Sequence, residues 1–211
     1  MRNFLILFLF PLILMSQNKQ RSLNNEDWKF KQETKENWLP AKIPGTVHTD
    51  LLANKVIEDP FFGTNEKQLQ WIENENWNYK TSFIVSKSEL KYKNIALEFK
   101  GLDTYATVFL NGKLILEANN MFRTWKIPVK NNLKEGENSI EIKFKSSVLK
   151  GKAAAQKLTY TLPGDEKVFT RKAQYQYGWD WGPRFVTAGI WKDVNLNFWN
   201  NVTIENVSYN Q

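Results

Sequence analysis

The residues from Tyr105 to Leu116 decide the fold class and read Tyr-Ala-Thr-Val-Phe-Leu-Asn-Gly-Lys-Leu-Ile-Leu. One apolar run precedes Asn111-Gly112, and a second one follows it. Asn-Gly in this setting is the strongest short-range indication of a β-hairpin, because a type I′ turn needs positive φ at both central positions. The sequence therefore predicts an antiparallel pair of strands at residues 105–110 and 113–116.

Short runs with alternating apolar residues continue on both sides of this hairpin, separated by turn residues. We predict further strands at residues 79–85, 95–99, 123–127, 139–144, 168–177, 189–198 and 202–208. Helical periodicity is confined to residues 46–54, 64–72 and 148–157, with Thr46 as the N-cap of the first helix. This pattern predicts an all-β protein, an antiparallel β-sandwich of the jelly-roll type with a few short helices.

Composition bounds the possible functions. The 211 residues are 42% hydrophobic and 14% aromatic, which is enough to build a core. Because cysteine is absent, disulfides, zinc-thiolate sites and a cysteine nucleophile are excluded. The net charge of +7 comes from scattered lysines without a nucleic-acid-binding motif, so no nucleic-acid partner is expected. We also predict neither a metal nor a cofactor.

His48 is the only histidine of the chain. A Ser-His-Asp triad would have to centre on it, and no serine lies in a Gly-x-Ser-x-Gly context. We therefore interpret His48 as a structural residue.

The first sixteen residues are typical of a secretory signal peptide. Arg2 precedes an apolar run that is interrupted by Pro11, and the chain turns polar at Ser16. The run is shorter than the roughly 20 residues that a membrane-spanning helix needs. We predict that residues 1–16 are cleaved after Ser16, which leaves a secreted or periplasmic protein without a membrane partner.

One acidic residue lies between two indoles near the end of the chain. Trp179, Asp180 and Trp181 are bounded by Gly178 and by Gly182-Pro183. Glycine and proline interrupt a strand, so this segment should bend and project from the sheet. Indole faces stack on the C–H face of a pyranose, and a carboxylate accepts strong hydrogen bonds from its hydroxyls. The alternative is that both tryptophans are core residues and the aspartate caps a turn.

Four stretches of the chain together have the pattern of a known family. They are Ile43-Pro-Gly-Thr-Val-His48, Asp59-Pro-Phe-Phe-Gly-Thr-Asn65 with Trp71 and Trp77, Phe99-Lys-Gly-Leu-Asp-Thr-Tyr-Ala-Thr-Val-Phe-Leu-Asn-Gly112 with Asn120-Met-Phe122, and Gly178-Trp-Asp-Trp-Gly-Pro183 with Gly189-Ile-Trp191. This chain resembles the amino-terminal, galactose-binding-like jelly-roll domain of β-mannosidases in the family 2 glycoside hydrolases. The first three stretches are common to family 2 enzymes, whereas the fourth indicates the β-mannosidase branch.

The resemblance implies a domain layout and roles for individual residues. Residues 17–200 would form the jelly-roll domain, and residues 201–211 would begin an immunoglobulin-like domain. In such enzymes two catalytic glutamates lie on a (β/α)8 barrel that follows, so they are expected beyond Gln211. Trp179 and Asp180 match the segment that reaches into the barrel mouth and binds the terminal mannose. Trp181 and Arg171 are possible supporting residues.

The implied function is that of a pocket-completing domain in a secreted, exo-acting, retaining β-mannosidase that removes terminal β-D-mannose from oligosaccharides. The chain alone should be inactive, because retaining hydrolysis requires two carboxylates about 5–5.5 Å apart. Its partners would be a β-mannoside oligosaccharide and the parent enzyme's immunoglobulin-like domain and barrel. The alternatives are a stand-alone carbohydrate-binding module, a purely structural sandwich, or another family 2 glycosidase such as an exo-β-glucosaminidase.

Overall fold

The computed structural model describes residues 18–204 and 207–211. The predicted signal peptide at residues 1–16 lies outside the described residues. Within the described part, no helix has the length and apolar character needed to cross a membrane.

Ten strands in the described residues form two antiparallel sheets. The strands are β1 (Lys19–Ser22), β2 (Lys29–Gln32), β3 (Leu39–Pro40), β4 (Trp77–Val85), β5 (Asn94–Phe99), β6 (Tyr105–Leu110), β7 (Lys113–Asn119), β8 (Trp125–Pro128), β9 (Gly136–Lys145) and β10 (Val194–Trp199). The smaller sheet has the order β1-β10-β5-β8, and the larger sheet has the order β3-β2-β4-β9-β6-β7. The predicted all-β antiparallel sandwich is thus confirmed.

In the part of the chain that the structure describes, the helices lie in the connections between strands. They are α1 (Val47–Ala53), α2 (Asn65–Gln68), α3 (Ser147–Ala155) and the 3-10 helices Ile72–Asn74, Glu89–Lys91, Lys130–Asn132, Asp165–Phe169 and Gln174–Tyr177. Thr46 caps α1 as predicted, since its side chain accepts from the Thr49 N–H and the Thr49 hydroxyl accepts from the Thr46 N–H.

The hairpin of β6 and β7 is confirmed. Asn111 and Gly112 have φ values of 51° and 78°, which are the positive values that a type I′ turn requires. The Asn111 side chain also accepts from the Ser139 N–H at 3.0 Å and donates to the Asn132 carbonyl at 2.8 Å. The turn is therefore held against the start of β9 as well as by its own backbone preference.

The core lies between the two sheets because alternate residues of each strand point inward. The buried side chains of β4, β9 and β10 are Trp77, Tyr79, Phe83, Val85, Ile140, Ile142, Phe144, Val194, Leu196 and Phe198. Burying one such side chain contributes roughly 1.5–3 kcal/mol, so this apolar layer accounts for most of the stabilisation.

Three predicted strands need correction. Residues 168–177 contain the end of one 3-10 helix and the whole of another rather than a strand, because the chain leaves the sheet to bury the Lys172 side chain against Asp103. Of residues 189–198, only those from Val194 onward pair in a strand, while Gly189 forms an isolated bridge with Asp103. The described part of residues 202–208 forms no strand, since nothing pairs with it there.

Candidate functional site

A two-residue turn projects Asp180 and Trp181 from the domain. The Trp179 N–H donates to the Gly182 carbonyl at 3.1 Å, and the Gly182 N–H donates to the Trp179 carbonyl at 3.2 Å. Gly178 precedes this turn with a φ of 90°, a backbone conformation that favours glycine. The predicted bend is therefore present, and we call residues 179–182 the indole turn.

Both indoles of this turn are outside the core. Trp179 is 50% exposed and Trp181 is 83% exposed, and their ring centroids are 5.6 Å apart in an edge-to-face arrangement. Asp180 is exposed between them. Among residues 18–204 and 207–211, no hydrogen bond or ion pair engages its carboxylate. The alternative with core tryptophans and a turn-capping aspartate thus does not describe this segment.

A cleft of about 720 Å³ lies beside the indole turn. Its lining residues are Phe61, Gln174, Tyr175, Gln176, Trp179, Trp181, Gly182, Pro183, Phe185 and Thr187. Aromatic walls with a few amide and hydroxyl groups suit a ligand that has both apolar faces and hydroxyls. These lining residues include no carboxylate and no imidazole.

A buried ion pair fixes one side of the cleft. Lys172 donates to the Asp103 carboxylate at 2.5 Å, and both side chains are fully buried. Thr187 lines the cleft. Its hydroxyl donates to Asp103 at 2.7 Å, and its backbone carbonyl accepts from Lys172 at 2.7 Å. Burial lowers the pKa of Lys172, and the Asp103 charge opposes that effect. Sequence analysis missed this pair because its members are 69 residues apart.

Arg184 follows the indole turn and connects it to the rest of the domain. Its guanidinium donates to both Glu73 oxygens at 2.7–3.2 Å, to Glu166 at 3.2 Å and to the Tyr177 carbonyl at 3.1 Å. Burial acts to lower the pKa of Arg184, but the hydrogen bonds and charge of Glu73, followed by those of Glu166, raise it. Sequence analysis missed Arg184, because Glu73 lies 111 residues away and no local pattern links the two.

Arg171 and His48 lie apart from the indole turn. Arg171 is exposed and borders a neighbouring depression that shares only Gln174 with the cleft. His48 is buried on α1. The centroids of the His48 and Phe185 rings are 5.6 Å apart, in an edge-to-face contact. Burial lowers the pKa of His48 to about 4, so its ring is neutral at physiological pH and supports the cleft wall. The described residues contain no cluster of His, Asp or Glu side chains that could hold a metal ion.

Comparison with known proteins agrees with this arrangement. Residues 28–192 match the family described as glycosyl hydrolase 2 galactose-binding domain-like. Beta-mannosidase B of Aspergillus terreus is 40% identical over 179 residues, which are 80% of this chain and 21% of that protein. The β-D-mannosidase crystal structure from Dictyoglomus thermophilum has a TM-score of 0.84 and 47% identity over 86% of this chain and 23% of that one. A β-glucuronidase from an uncultured Clostridium sp. shares the fold, with a TM-score of 0.60 and 20% identity.

The chain therefore spans about a fifth of the length of the β-mannosidases that it matches, at 21% and 23% of their chains. The resemblance to the amino-terminal domain of family 2 β-mannosidases is confirmed by the matched residues and by the structural similarity. On these grounds the chain belongs to the glycosyl hydrolase 2 galactose-binding domain-like family.

Proposed function

We propose that this chain is the amino-terminal domain of an exo-acting, retaining β-mannosidase and that it completes the pocket for the terminal β-D-mannose. The exposed Asp180 carboxylate, between two exposed indoles at the edge of an apolar cleft, carries this proposal. A carboxylate that serves stability is normally paired or hydrogen-bonded within its own domain. Asp180 instead presents its oxygens outward, where a ligand can use them.

The choice of a β-mannoside as substrate rests on the relatives. Two proteins named as β-mannosidases are 40% and 47% identical to this chain, whereas the β-glucuronidase is only 20% identical. Because the chain covers about a fifth of these enzymes, the catalytic carboxylates would come from other parts of a longer polypeptide. Those other parts and a β-mannoside oligosaccharide are the proposed partners.

The proposed chemistry of the site is binding rather than bond cleavage. Asp180 would accept hydrogen bonds from two hydroxyls remote from the anomeric carbon, and Trp179 would stack on the sugar ring. Trp181 supports Trp179 through their edge-to-face contact. Such remote contacts increase kcat when they hold the reacting sugar in a productive orientation. Arg171 borders only the adjoining depression, so we assign it no contact with the sugar.

We also propose that the protein is secreted or periplasmic and that residues 201–211 begin the next, immunoglobulin-like domain. The apolar run that starts after Arg2 and ends before Ser16 supports export. Amino-terminal sequencing of the exported protein should give Gln17 as its first residue. Retention of Met1 in the purified protein would contradict cleavage.

The proposed function is tested by Asp180→Asn in the complete polypeptide that contains this chain. We expect kcat/KM for an aryl β-D-mannoside to fall by about tenfold or more, which corresponds to about 1.4 kcal/mol. Asp27→Asn is the matched control, since that carboxylate is 80% exposed and its surface ion pair with Lys29 contributes little. Unchanged kinetics for Asp180→Asn would contradict the proposal. If the unsubstituted polypeptide hydrolysed an aryl β-D-glucosaminide faster than the aryl β-D-mannoside, an exo-β-glucosaminidase would be favoured.

A further inference from the structure

The indole turn has little support from its own backbone. Two-residue hairpin turns are favoured when they have positive φ at their first or at both central positions, which matches the twist of the flanking strands. Neither Asp180 nor Trp181 has a positive φ, in contrast to Asn111 and Gly112. Within the described residues, two backbone hydrogen bonds close the turn, both between Trp179 and Gly182. An isolated hairpin of this kind is marginally stable in water, so contacts from outside must hold its shape.

Arg184 closes the base of the indole turn. Tyr177 precedes the turn and Arg184 follows it, and the Arg184 Nη1 donates to the Tyr177 carbonyl at 3.1 Å. The guanidinium also lies 5.4 Å from the centroid of the Tyr177 ring. One side chain therefore joins the entry and the exit of the turn, which fixes the direction in which Asp180 projects.

The same residue ties that base to the domain. Glu73 accepts three hydrogen bonds from the guanidinium at 2.7–3.2 Å, and its side chain is only 9% exposed. Glu166 accepts a further one at 3.2 Å. The backbone of Arg184 is held as well, since its N–H donates to Glu66 at 2.7 Å and its carbonyl accepts from Gln70 at 2.9 Å. Bidentate, charge-assisted bonds of this type are strong and directional.

We propose that Arg184 is a positioning residue that holds the indole turn, and with it the Asp180 carboxylate, in the orientation that a sugar hydroxyl pair requires. This inference rests on the proposed function of Asp180. The role needs an arginine, because a lysine ammonium is a point charge that cannot bond to two carboxylates and a carbonyl in one plane. Arg184→Lys should therefore restore little of what Arg184→Met loses.

The first test uses the 211-residue chain itself and is independent of any enzymatic activity. In Arg184→Met, the amide hydrogens of Trp179 and Gly182 should exchange about tenfold faster or more, after correction for any change at the Tyr79 amide, whose rate in the core reports a loss of global stability. Arg123→Met is the matched control, because it also replaces an arginine that lies against an aromatic ring, at a place away from the indole turn. Arg123 is exposed, and its Cζ lies 4.5 Å from the centroid of the Trp125 ring. Unchanged exchange at Trp179 and Gly182 would overturn the proposed clamp.

The second test is a double-mutant cycle in the complete polypeptide. Arg184→Met and Asp180→Asn should each lower kcat/KM for an aryl β-mannoside by about tenfold, and the double variant should lose no more than about twofold beyond the worse single variant. Losses that multiply, or unchanged kcat/KM in Arg184→Met, would show that Arg184 does not act through Asp180. If Asp180→Asn alone changed nothing, the proposed function would fail, and hydrogen exchange would still decide whether Arg184 holds the turn.

Removing Arg184 alone leaves Glu73 partly buried without its cation, which is costly for folding. Arg184→Met combined with Glu73→Gln removes both charges and keeps the test valid if the single variant does not fold. The combined variant should show the same faster exchange at the indole turn. Slow exchange in a folded combined variant would count against the clamp.

Discussion

Two aspartates show how the same residue type can occupy opposite environments in one domain. Asp103 is fully buried and accepts from Lys172, Thr187 and Thr104. Asp180 is exposed at the tip of the indole turn, and no partner for its carboxylate exists in the described residues. At this scale the environment decides the role, because a buried carboxylate needs internal partners whereas an exposed one is solvated by water.

This difference predicts that replacing the two aspartates changes stability to very different extents. Asp103→Asn should lower the free energy of unfolding by roughly 3–5 kcal/mol, because it leaves the buried Lys172 charge without its partner. Asp180→Asn should change it by no more than about 0.5 kcal/mol. Urea unfolding followed by tryptophan fluorescence measures both. A large loss for Asp180→Asn would return that residue to a structural role.

At the scale of elements, the Asn111-Gly112 turn and the indole turn obtain their shapes from different sources. The turn between β6 and β7 has positive φ at Asn111 and Gly112, so its shape follows from local backbone preference. The indole turn has no such preference and depends on contacts made by Arg184. The first turn is therefore encoded locally, and the second is encoded by tertiary structure.

A pair of glycine substitutions tests this distinction. Gly112→Ala should lower the free energy of unfolding by about 1–2 kcal/mol, because alanine at a φ of 78° is strained although nothing crowds its Cβ. Gly182→Ala is the control, since its φ is not positive and the atom nearest to an added Cβ is 3.9 Å away. Its effect on unfolding should stay within about 0.5 kcal/mol. Equal losses in the two variants would contradict a local origin for the first turn.

Helix α1 carries two buried groups whose titrations oppose each other. Burial lowers the pKa of His48 to about 4 from its ordinary 6.5, so its stabilising contribution is complete above pH 6.5 and is lost as the pH falls to 4. Burial raises the pKa of Asp50 to about 6 from 3.8, despite hydrogen bonds from the Lys42 N–H and the Tyr79 hydroxyl. The contribution of Asp50 is complete below pH 3.8 and is lost as the pH rises to 6.

Replacing either group should therefore reveal how the other changes the free energy of unfolding with pH. Relative to the unsubstituted chain, Asp50→Asn should gain up to about 3 kcal/mol of unfolding free energy between pH 4 and 6. His48→Gln should lose a similar amount, about 3 kcal/mol, as the pH rises from 4 to 6.5. Urea unfolding at several values across this range measures both. Parallel pH profiles for the two variants would contradict the assigned shifts.

At the scale of the whole molecule, large apolar side chains are exposed around the cleft. Phe61, Tyr175 and Trp181 are 76%, 69% and 83% exposed. An exposed aromatic surface of this kind normally marks a binding site or an interface. It fits a domain that completes a pocket together with other parts of a longer polypeptide.

The isolated chain should accordingly neither cleave nor tightly bind a β-mannoside. We expect no turnover of an aryl β-D-mannoside, since two suitably spaced catalytic carboxylates are required. Isothermal titration with a β-1,4-linked mannobiose should give a Kd no tighter than about 1 mM, because a single shallow wall contributes little binding energy. Turnover would show that the catalytic pair lies within this chain, and a Kd near about 10 μM would favour a stand-alone carbohydrate-binding module.

The sequence by itself determined the features that arise from local patterns. Alternating apolar residues predicted most of β4 to β10, Asn111-Gly112 predicted the hairpin, and Thr46 predicted the start of α1. These features are readable because backbone preference and side-chain alternation act over a few neighbouring residues. The motif around Asp180 likewise predicted the bend and the family.

Only the tertiary structure decided which side chains meet. The alternating aromatics before Gly178 suggested a strand, yet burial of Lys172 against Asp103 directs the chain out of the sheet. The polar residues of β1 pair with β10 at the edge of the smaller sheet, where no apolar alternation is needed. Arg184 meets Glu73 from 111 residues away. Ion pairs and edge strands between distant segments leave no period in the sequence, because their partners come together only when the two sheets pack.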